Sequence, residues 1–307
     1  MRLPLPNHLL APALALLVSA PLTGCSSLIA NIAADSLSGD GSAFSSDDDP
    51  ELVRDAIPFG LKTMEALLES SPDNPKLLTA VCSGFTQYAY AFVLADADEL
   101  EPTDPAKARA GAARGKKLLR RATNYGFRGL AARGGKEFPA AFEKDRAAAL
   151  KPFGREDVPL LYWTGASLAI LISRSKDDMK MVGRLQEVEA LMARALELDE
   201  AWGDGSIHEF YVTYDNSRGE AVGGGLQRAK AHYDRALELS KGKKIGALVS
   251  WAEAVAIQNQ DRKLFDQLLD RVLAFNVDEE PRFRLVNLIS QRRARFLKAH
   301  VDDYFLE

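Results

Sequence analysis

The prolines of this chain are unevenly spaced. Between Pro159 and Pro281 lie 121 residues without a proline, and no stretch of them alternates apolar and polar side chains as a half-buried strand does. Apolar residues recur instead at helical spacing, and glycine, asparagine and charged residues fill the turns between them. This pattern predicts helices at about 158–174, 178–198, 206–216, 225–240, 245–259, 261–275 and 280–300.

Helix start signals mark the part of the chain before that stretch. A capping side chain is followed directly by proline at Asp49-Pro50, Asn74-Pro75 and Asp104-Pro105. Proline suits the first helical position because its missing N–H would have no partner there. We expect helices at about 49–70, from 75 onward, at 105–124 and at 137–150. The predicted fold class is therefore all-α.

Two of the predicted helices also resemble each other. In 191–199 and 232–240, small residues recur at the same helical positions, and the matching alanines are Ala195 and Ala236. This pattern resembles the second helix of a tetratricopeptide repeat, in which a small residue lets paired helices approach closely. Earlier copies have irregular spacing. We expect a helical bundle or short solenoid of degenerate tetratricopeptide-like helix pairs.

The amino-terminal residues predict an export signal. Arg2 is the only charge before Cys25, and the apolar run 9–20 is too short to span a bilayer as a helix. Leu22-Thr23-Gly24-Cys25 resembles a bacterial lipobox, although an ordinary signal peptide with a coincidental cysteine is the alternative. We expect residues 1–24 to be a cleaved signal peptide, Cys25 to be lipidated, 25–48 to be a flexible tether and 49–307 to form a single all-α tetratricopeptide-like domain. By resemblance to lipoprotein sorting, Ser26 favours the periplasmic face of the outer membrane.

Composition and motifs argue against several function classes. A net charge of −4 provides no cationic field for nucleic acid. His208 is followed four residues later by Val212, so the two-histidine zinc motif of metalloproteases is incomplete. The Gly-x-Ser-x-Gly motif of hydrolases is absent from the sequence. We expect no catalytic site, no metal and no cofactor, and we expect Cys82 to be a buried, inert thiol.

The most informative stretch is 158–173, sixteen residues without a charge. At 1.5 Å per residue it would span ~24 Å, which is too short for a bilayer, so it must be buried or line an apolar cavity. Aromatic and apolar side chains on this and later helices are candidates for such a lining: Tyr162, Trp163, Leu168, Ile207, His208, Tyr211, Tyr214 and Trp251. The sequence leaves two alternatives open, a packed core and a pocket for an apolar ligand.

Several segments, in order, carry a family resemblance: Ala56–Lys62, Leu161–Trp163, Gly205–Phe210, Gly223–Gly225 with Ala229 and Ala236, and Gln258–Phe265. Together with the lipobox, they resemble the T component of TRAP-type periplasmic transport systems, a lipoprotein family of cryptic tetratricopeptide-like helices. The resemblance implies association with a periplasmic substrate-binding protein, assembly into homotrimers, and an apolar pore or cleft for a hydrophobic ligand. Some relatives resemble parts of lipid or sterol trafficking systems.

The predicted function follows from the anchor, the apolar stretch and the resemblance together. We expect a non-enzymatic, lipid-anchored periplasmic protein that binds or passes a hydrophobic small molecule, together with a periplasmic substrate-binding protein. The main alternative is a tetratricopeptide-like scaffold that holds protein partners in the cell envelope. A weaker alternative is an envelope enzyme.

Overall fold

The computed structural model describes residues 43–306, so Cys25 and most of the predicted tether lie outside the described residues. Over the described range the chain forms helices and turns without a strand, which confirms the all-α fold class. The α-helices are α1 (Pro50–Ser70), α2 (Pro75–Tyr88), α3 (Ala95–Leu100), α4 (Pro105–Gly134), α5 (Phe138–Lys144), α6 (Arg146–Leu150), α7 (Val158–Ser173), α8 (Met179–Val182), α9 (Leu185–Leu198), α10 (Ser206–Asn216), α11 (Leu226–Leu239), α12 (Gly246–Trp251), α13 (Arg262–Ala274) and α14 (Arg284–Ala299).

The helix starts follow the capping signals of the sequence. The Asp49 carboxylate accepts hydrogen bonds from the backbone N–H groups of Glu51 and Leu52, both at 3.0 Å. Asn74 and Asp104 cap α2 and α4 in the same way. These side chains satisfy N–H groups that have no partner inside the helix, which is why each helix begins at the predicted residue.

Helix α4 is longer than predicted, because it continues to Gly134 instead of ending near 124. Its glycines allow close packing of neighbouring helices. A Cβ at Gly126 would lie 2.4 Å from Oγ1 of Thr164, and a Cβ at Gly115 would lie 2.4 Å from Cδ2 of Leu94. These glycines lie where neighbouring side chains approach the α4 backbone closely. The helix continues through them, although an isolated glycine often ends a helix.

Two segments are π-helical, a feature that the hydrophobic pattern does not reveal. Ala89–Leu94 joins α2 to α3, and Ala252–Ala256 follows α12. A π-helix bonds each residue to the fifth one along, so it turns more widely than an α-helix and often occurs at functional sites. The predicted helix at 245–259 is therefore of mixed type.

Helix α7 lies at the centre of the fold, packed against α2, α4 and α9. Its Leu161 and Leu168 are fully buried. A second core lies around α12 and α13, where Phe265 is fully buried. Helix α10 joins the two cores, because Ile207 packs in the α7 core whereas Val212 packs in the second.

The described end of the predicted tether packs on the last helix. The carbonyl oxygen of Ser45 accepts a hydrogen bond from Leu285 N at 3.1 Å, and that of Ser46 accepts one from Arg284 at 2.8 Å. The side chain of Phe44 packs against the core formed by α1 and α2. The chain therefore contacts α14 before α1 begins.

One helical stretch of the described residues, Pro75–Leu100, is long and apolar enough to cross a membrane by length and composition. In this protein 78% of its most apolar window is buried against other helices. That burial is typical of the core helix of a globular fold.

Candidate functional site

The first element of the candidate site is Tyr90, which lies on the π segment Ala89–Leu94. Its side chain is 57% exposed. Even so, burial by the surrounding protein is the main cause that raises its pKa to about 12, and the carboxylates of Glu253 and Glu209 act in the same direction. Tyr90 therefore lies at the protein surface, with the carboxylates of Glu253 and Glu209 close enough to affect its pKa. We refer to the surface around Tyr90 as the Tyr90 cleft.

Tyr162 of α7 lies beside the same cleft. Burial strongly raises the pKa of Tyr162, and the nearby Glu209 and Tyr90 add to the effect. Both phenols are therefore neutral at physiological pH. Within the described part of the chain, neither hydroxyl has a hydrogen-bond partner, so both can donate to a bound molecule.

An aromatic cluster continues this wall. The ring of Tyr162 lies 5.0 Å from that of Trp163 and 4.6 Å from that of Trp202, between centroids. Trp202 occupies a short turn in which Gly203 and Gly205 have φ of 60° and 90°. Glycine adopts such angles without steric cost, so this turn directs the chain into α10 beside the tryptophan. The three partly exposed rings offer apolar surface to a ligand.

A second wall, which is charged, adjoins Tyr90. Glu253 lies on the second π segment and accepts a hydrogen bond from Nε of Arg293 at 3.0 Å. Arg293 also lies 3.9 Å from Asp98, which forms a bidentate pair with Arg174 at 2.7 and 2.8 Å. Both π segments thus contribute a side chain to one cleft. Tyr90 and Glu253 were not predicted from the sequence, because nothing in the local pattern distinguishes a π turn from an α turn.

A network of ion pairs connects the last helix, α14, to helices α3 and α1. Arg292 of α14 donates to Asp96 and to Glu99 of α3, both at 2.7 Å. Asp96 also pairs with Arg54 of α1. All four side chains are partly buried. A network of this kind is worth more than an isolated surface pair, because its members are screened less by solvent.

His208 belongs to a pair of histidines between α10 and α11. Its Nδ1 lies 2.8 Å from Nδ1 of His232, and the outer nitrogens lie 3.4 Å from Glu200 and 3.5 Å from Asp215. Burial is the main cause that lowers the pKa of both histidines. Among the described residues, no group of three or more potential ligands is arranged to hold a metal ion.

The other predicted lining residues occupy different places. Leu168 and Ile207 are fully buried in the α7 core. The Tyr214 hydroxyl donates to Glu189 at 2.7 Å, and Tyr211 stacks on His232 with centroids 4.8 Å apart.

Trp251 belongs to a different part of the fold. It packs on Tyr233 in the second core, with centroids 4.8 Å apart. The structure therefore brings Tyr162 and Trp163 together and does not bring Trp251 to them. A ligand-lining role stays a prediction for each of these residues.

Comparisons with known proteins agree over most of the chain. A family model described as "TRAP transporter T-component" matches residues 46–305, which include every helix from α1 to α14. A protein of Treponema pallidum (strain Nichols), described as uncharacterized, is 30% identical over 268 residues. The match covers 86% of this chain and 83% of that protein.

Proposed function

The chain belongs to the TRAP transporter T-component family, and we propose that it binds or passes a hydrophobic ligand at the Tyr90 cleft. The family is associated with transport and is not a family of enzymes. A role in TRAP transport, with a periplasmic or membrane-associated location, follows from that membership. The observation that carries the finer proposal is a group of aromatic rings: Tyr162 packs against Trp163 and Trp202, with ring centroids 5.0 and 4.6 Å apart, and the exposed Tyr90 lies near Tyr162.

The chemistry of the cleft favours a largely apolar, uncharged ligand. The rings of Tyr162, Trp163 and Trp202 would cover its apolar body, at ~25 cal/mol for each Å² removed from water. The hydroxyls of Tyr90 and Tyr162 would donate hydrogen bonds to a ligand oxygen. Arg293 is already neutralised by Glu253, so it adds little attraction for an anion.

We test this proposal with the protein starting at Ser26, purified without detergent. Native mass spectrometry should detect a stoichiometric apolar adduct, and organic extraction should identify its class. Tyr90→Ala should reduce the bound fraction severalfold. Phe59→Ala is the matched control because Phe59 is an even more exposed aromatic residue, at 80%, on helix α1. A clean unliganded mass after incubation with envelope lipids and sterols would contradict the proposal.

The same proposal includes attachment to the membrane and a partner. Lipidated Cys25 would hold the domain at the periplasmic face of the outer membrane, where it would meet a periplasmic substrate-binding protein, with a homotrimer as the assembly. Several acyl chains give stable attachment, since each buried CH₂ contributes ~0.8 kcal/mol. Cys25→Ala should release the protein into the soluble periplasmic fraction. Membrane association of this variant after high-salt washing would contradict the anchor.

A protein-docking scaffold is the second candidate function. Leu52 and Phe59 of α1 are seven residues apart, on one face of the helix, and both are largely exposed. Exposed apolar side chains grouped in this way are typical of protein contacts. Loss of partner binding in Phe59→Ala, with ligand retention unchanged, would favour this role.

A further inference from the structure

A second cavity lies away from the Tyr90 cleft, between the end of α4, the α5–α6 corner and the turn before α9. Its volume is about 350 Å³. The lining residues are Phe127, Phe138, Pro139, Phe142, Glu143, Arg146, Arg184 and Glu187. None of them belongs to the Tyr90 cleft as described above.

The walls of this cavity are aromatic. The ring of Phe142 lies 5.4 Å from that of Phe138 and 6.1 Å from that of Phe127, between centroids. Phe138 and Phe142 are buried, whereas Phe127 is partly exposed. An apolar body that enters this space would therefore contact rigid rings on several sides.

Arg146 is the unusual group in this cavity. Its Nε atom is buried and has no hydrogen-bond partner, and no ion pair within residues 43–306 includes its guanidinium group. The guanidinium carbon lies 6.0 Å from the centroid of Phe142. A buried donor without a partner is costly and rare in folded proteins, and a guanidinium group carries its charge at every physiological pH.

Neighbouring arginines do not share this property. Arg184 donates to Glu187 from Nε at 3.0 Å and from Nη2 at 2.8 Å, so its charge is compensated. Arg194 also has a buried Nε without a partner, but its terminal nitrogens bind Glu197 and the carbonyl oxygens of Lys151 and Phe153. Arg146 alone among these three has no acceptor.

We propose that this cavity binds a small organic carboxylate with an aromatic or branched apolar body, held by Arg146. A planar guanidinium group matches the two oxygens of a carboxylate, and the phenylalanine rings match the apolar body. Because Glu187 is paired with Arg184, it leaves the charge of Arg146 available. Glu143 is exposed beside the cavity and disfavours anions of higher charge.

The proposal is tested with 3-phenylpropionate as the probe, titrated into the protein starting at Ser26 and followed by calorimetry and ligand-observed NMR. Two other compounds serve as comparisons. 3-Phenylpropanamide has the same apolar body without the charge, and inorganic phosphate has the charge without the body. We expect saturable binding of the carboxylate, about tenfold weaker binding of the amide, and no saturable binding of phosphate.

Variants locate the site. Arg146→Gln should weaken 3-phenylpropionate about tenfold or more, and Arg146→Lys should be intermediate because it keeps the charge without the planar fork. Lys144→Gln is the matched control: it removes an exposed positive charge two residues away and should leave the affinity unchanged. Circular dichroism checks that each variant folds. Phe127→Leu, which changes a partly exposed ring of the cavity wall, should also weaken binding of 3-phenylpropionate.

Three results would overturn the proposal: equal affinity for the amide and the carboxylate, unchanged affinity in Arg146→Gln, or no binding of the carboxylate at millimolar concentration. The outcome is independent of the ligand proposed for the Tyr90 cleft. Tyr90→Ala should leave the affinity for 3-phenylpropionate unchanged, and Arg146→Gln should leave the apolar adduct of the purified protein unchanged.

Discussion

The two walls of the Tyr90 cleft differ although each is built on a π segment. One wall presents the neutral phenols of Tyr90 and Tyr162, whose hydroxyls have no partner in the described chain. The other presents Glu253 and Arg293, which already satisfy each other. Similar backbone geometry therefore supports opposite chemistry. The first wall is therefore available to a ligand, whereas the second mainly holds the fold together.

The largest effect is expected behind the first wall. Leu168 is fully buried in the α7 core, so Leu168→Ala should leave a cavity and lower the free energy of unfolding by about 2–5 kcal/mol. Urea denaturation measures this loss. Leu226→Ala is the control, because Leu226 is largely exposed and should cost below about 1 kcal/mol. Equal losses in the two variants would show that α7 does not support this wall.

The second wall should respond to loss of a charge partner. Arg293→Met leaves the half-buried carboxylate of Glu253 without its donor, so we expect a loss of about 1–3 kcal/mol in the free energy of unfolding. Glu253→Gln should cost less, because an amide oxygen still accepts the hydrogen bond. If Arg293→Met unfolds at the wild-type urea concentration, the pair does not stabilise this wall.

Alkaline pH should destabilise the folded protein, because it ionises the phenols of the first wall. The pKa of Tyr90 is raised to about 12 in the folded protein and that of Tyr162 is raised as well, both above the value of ~10 in an unfolded chain. Their contribution to stability is therefore complete below pH ~10 and is lost as the pH rises towards 12. Urea midpoints at several pH values and phenolate absorbance measure both changes. A urea midpoint that stays constant from pH 9 to 12 would contradict this sign.

The smallest expected effect is that of the Glu253 charge on the pKa of Tyr90. The Glu253 carboxylate adds to the raised pKa of Tyr90, but burial is the larger cause, so Glu253→Gln should lower that pKa only slightly. Subtracting the absorbance titration of Glu253→Gln/Tyr90→Phe from that of Glu253→Gln gives the ionisation of the Tyr90 phenol alone. No change of the Tyr90 pKa would mean that the walls do not interact electrostatically.

Part of this architecture was predictable from local chemistry. Asp49-Pro50 and Asn74-Pro75 give helix starts, because capping and the missing proline N–H act within one turn. The uncharged stretch 158–173 became the central helix, since an apolar surface on every side must be buried. Tyr162 and Trp163 followed from the same stretch. Tyr90 was not predictable in this way, because its position near Tyr162 and Glu253 depends on how distant parts of the chain pack.

The helical fold class and the starts of the first helices follow from the amino-acid sequence, because propensity, capping and hydrophobic spacing act over a few residues. Which aromatic residues share a surface depends on tertiary packing. Trp251 has the same apolar character as Trp163, yet it packs on Tyr233 in another core. Likewise, Arg146 differs from Arg184 only in the acceptors that folding brings near it. Contacts between residues far apart in the chain depend on how the helices pack, and no local pattern contains that information.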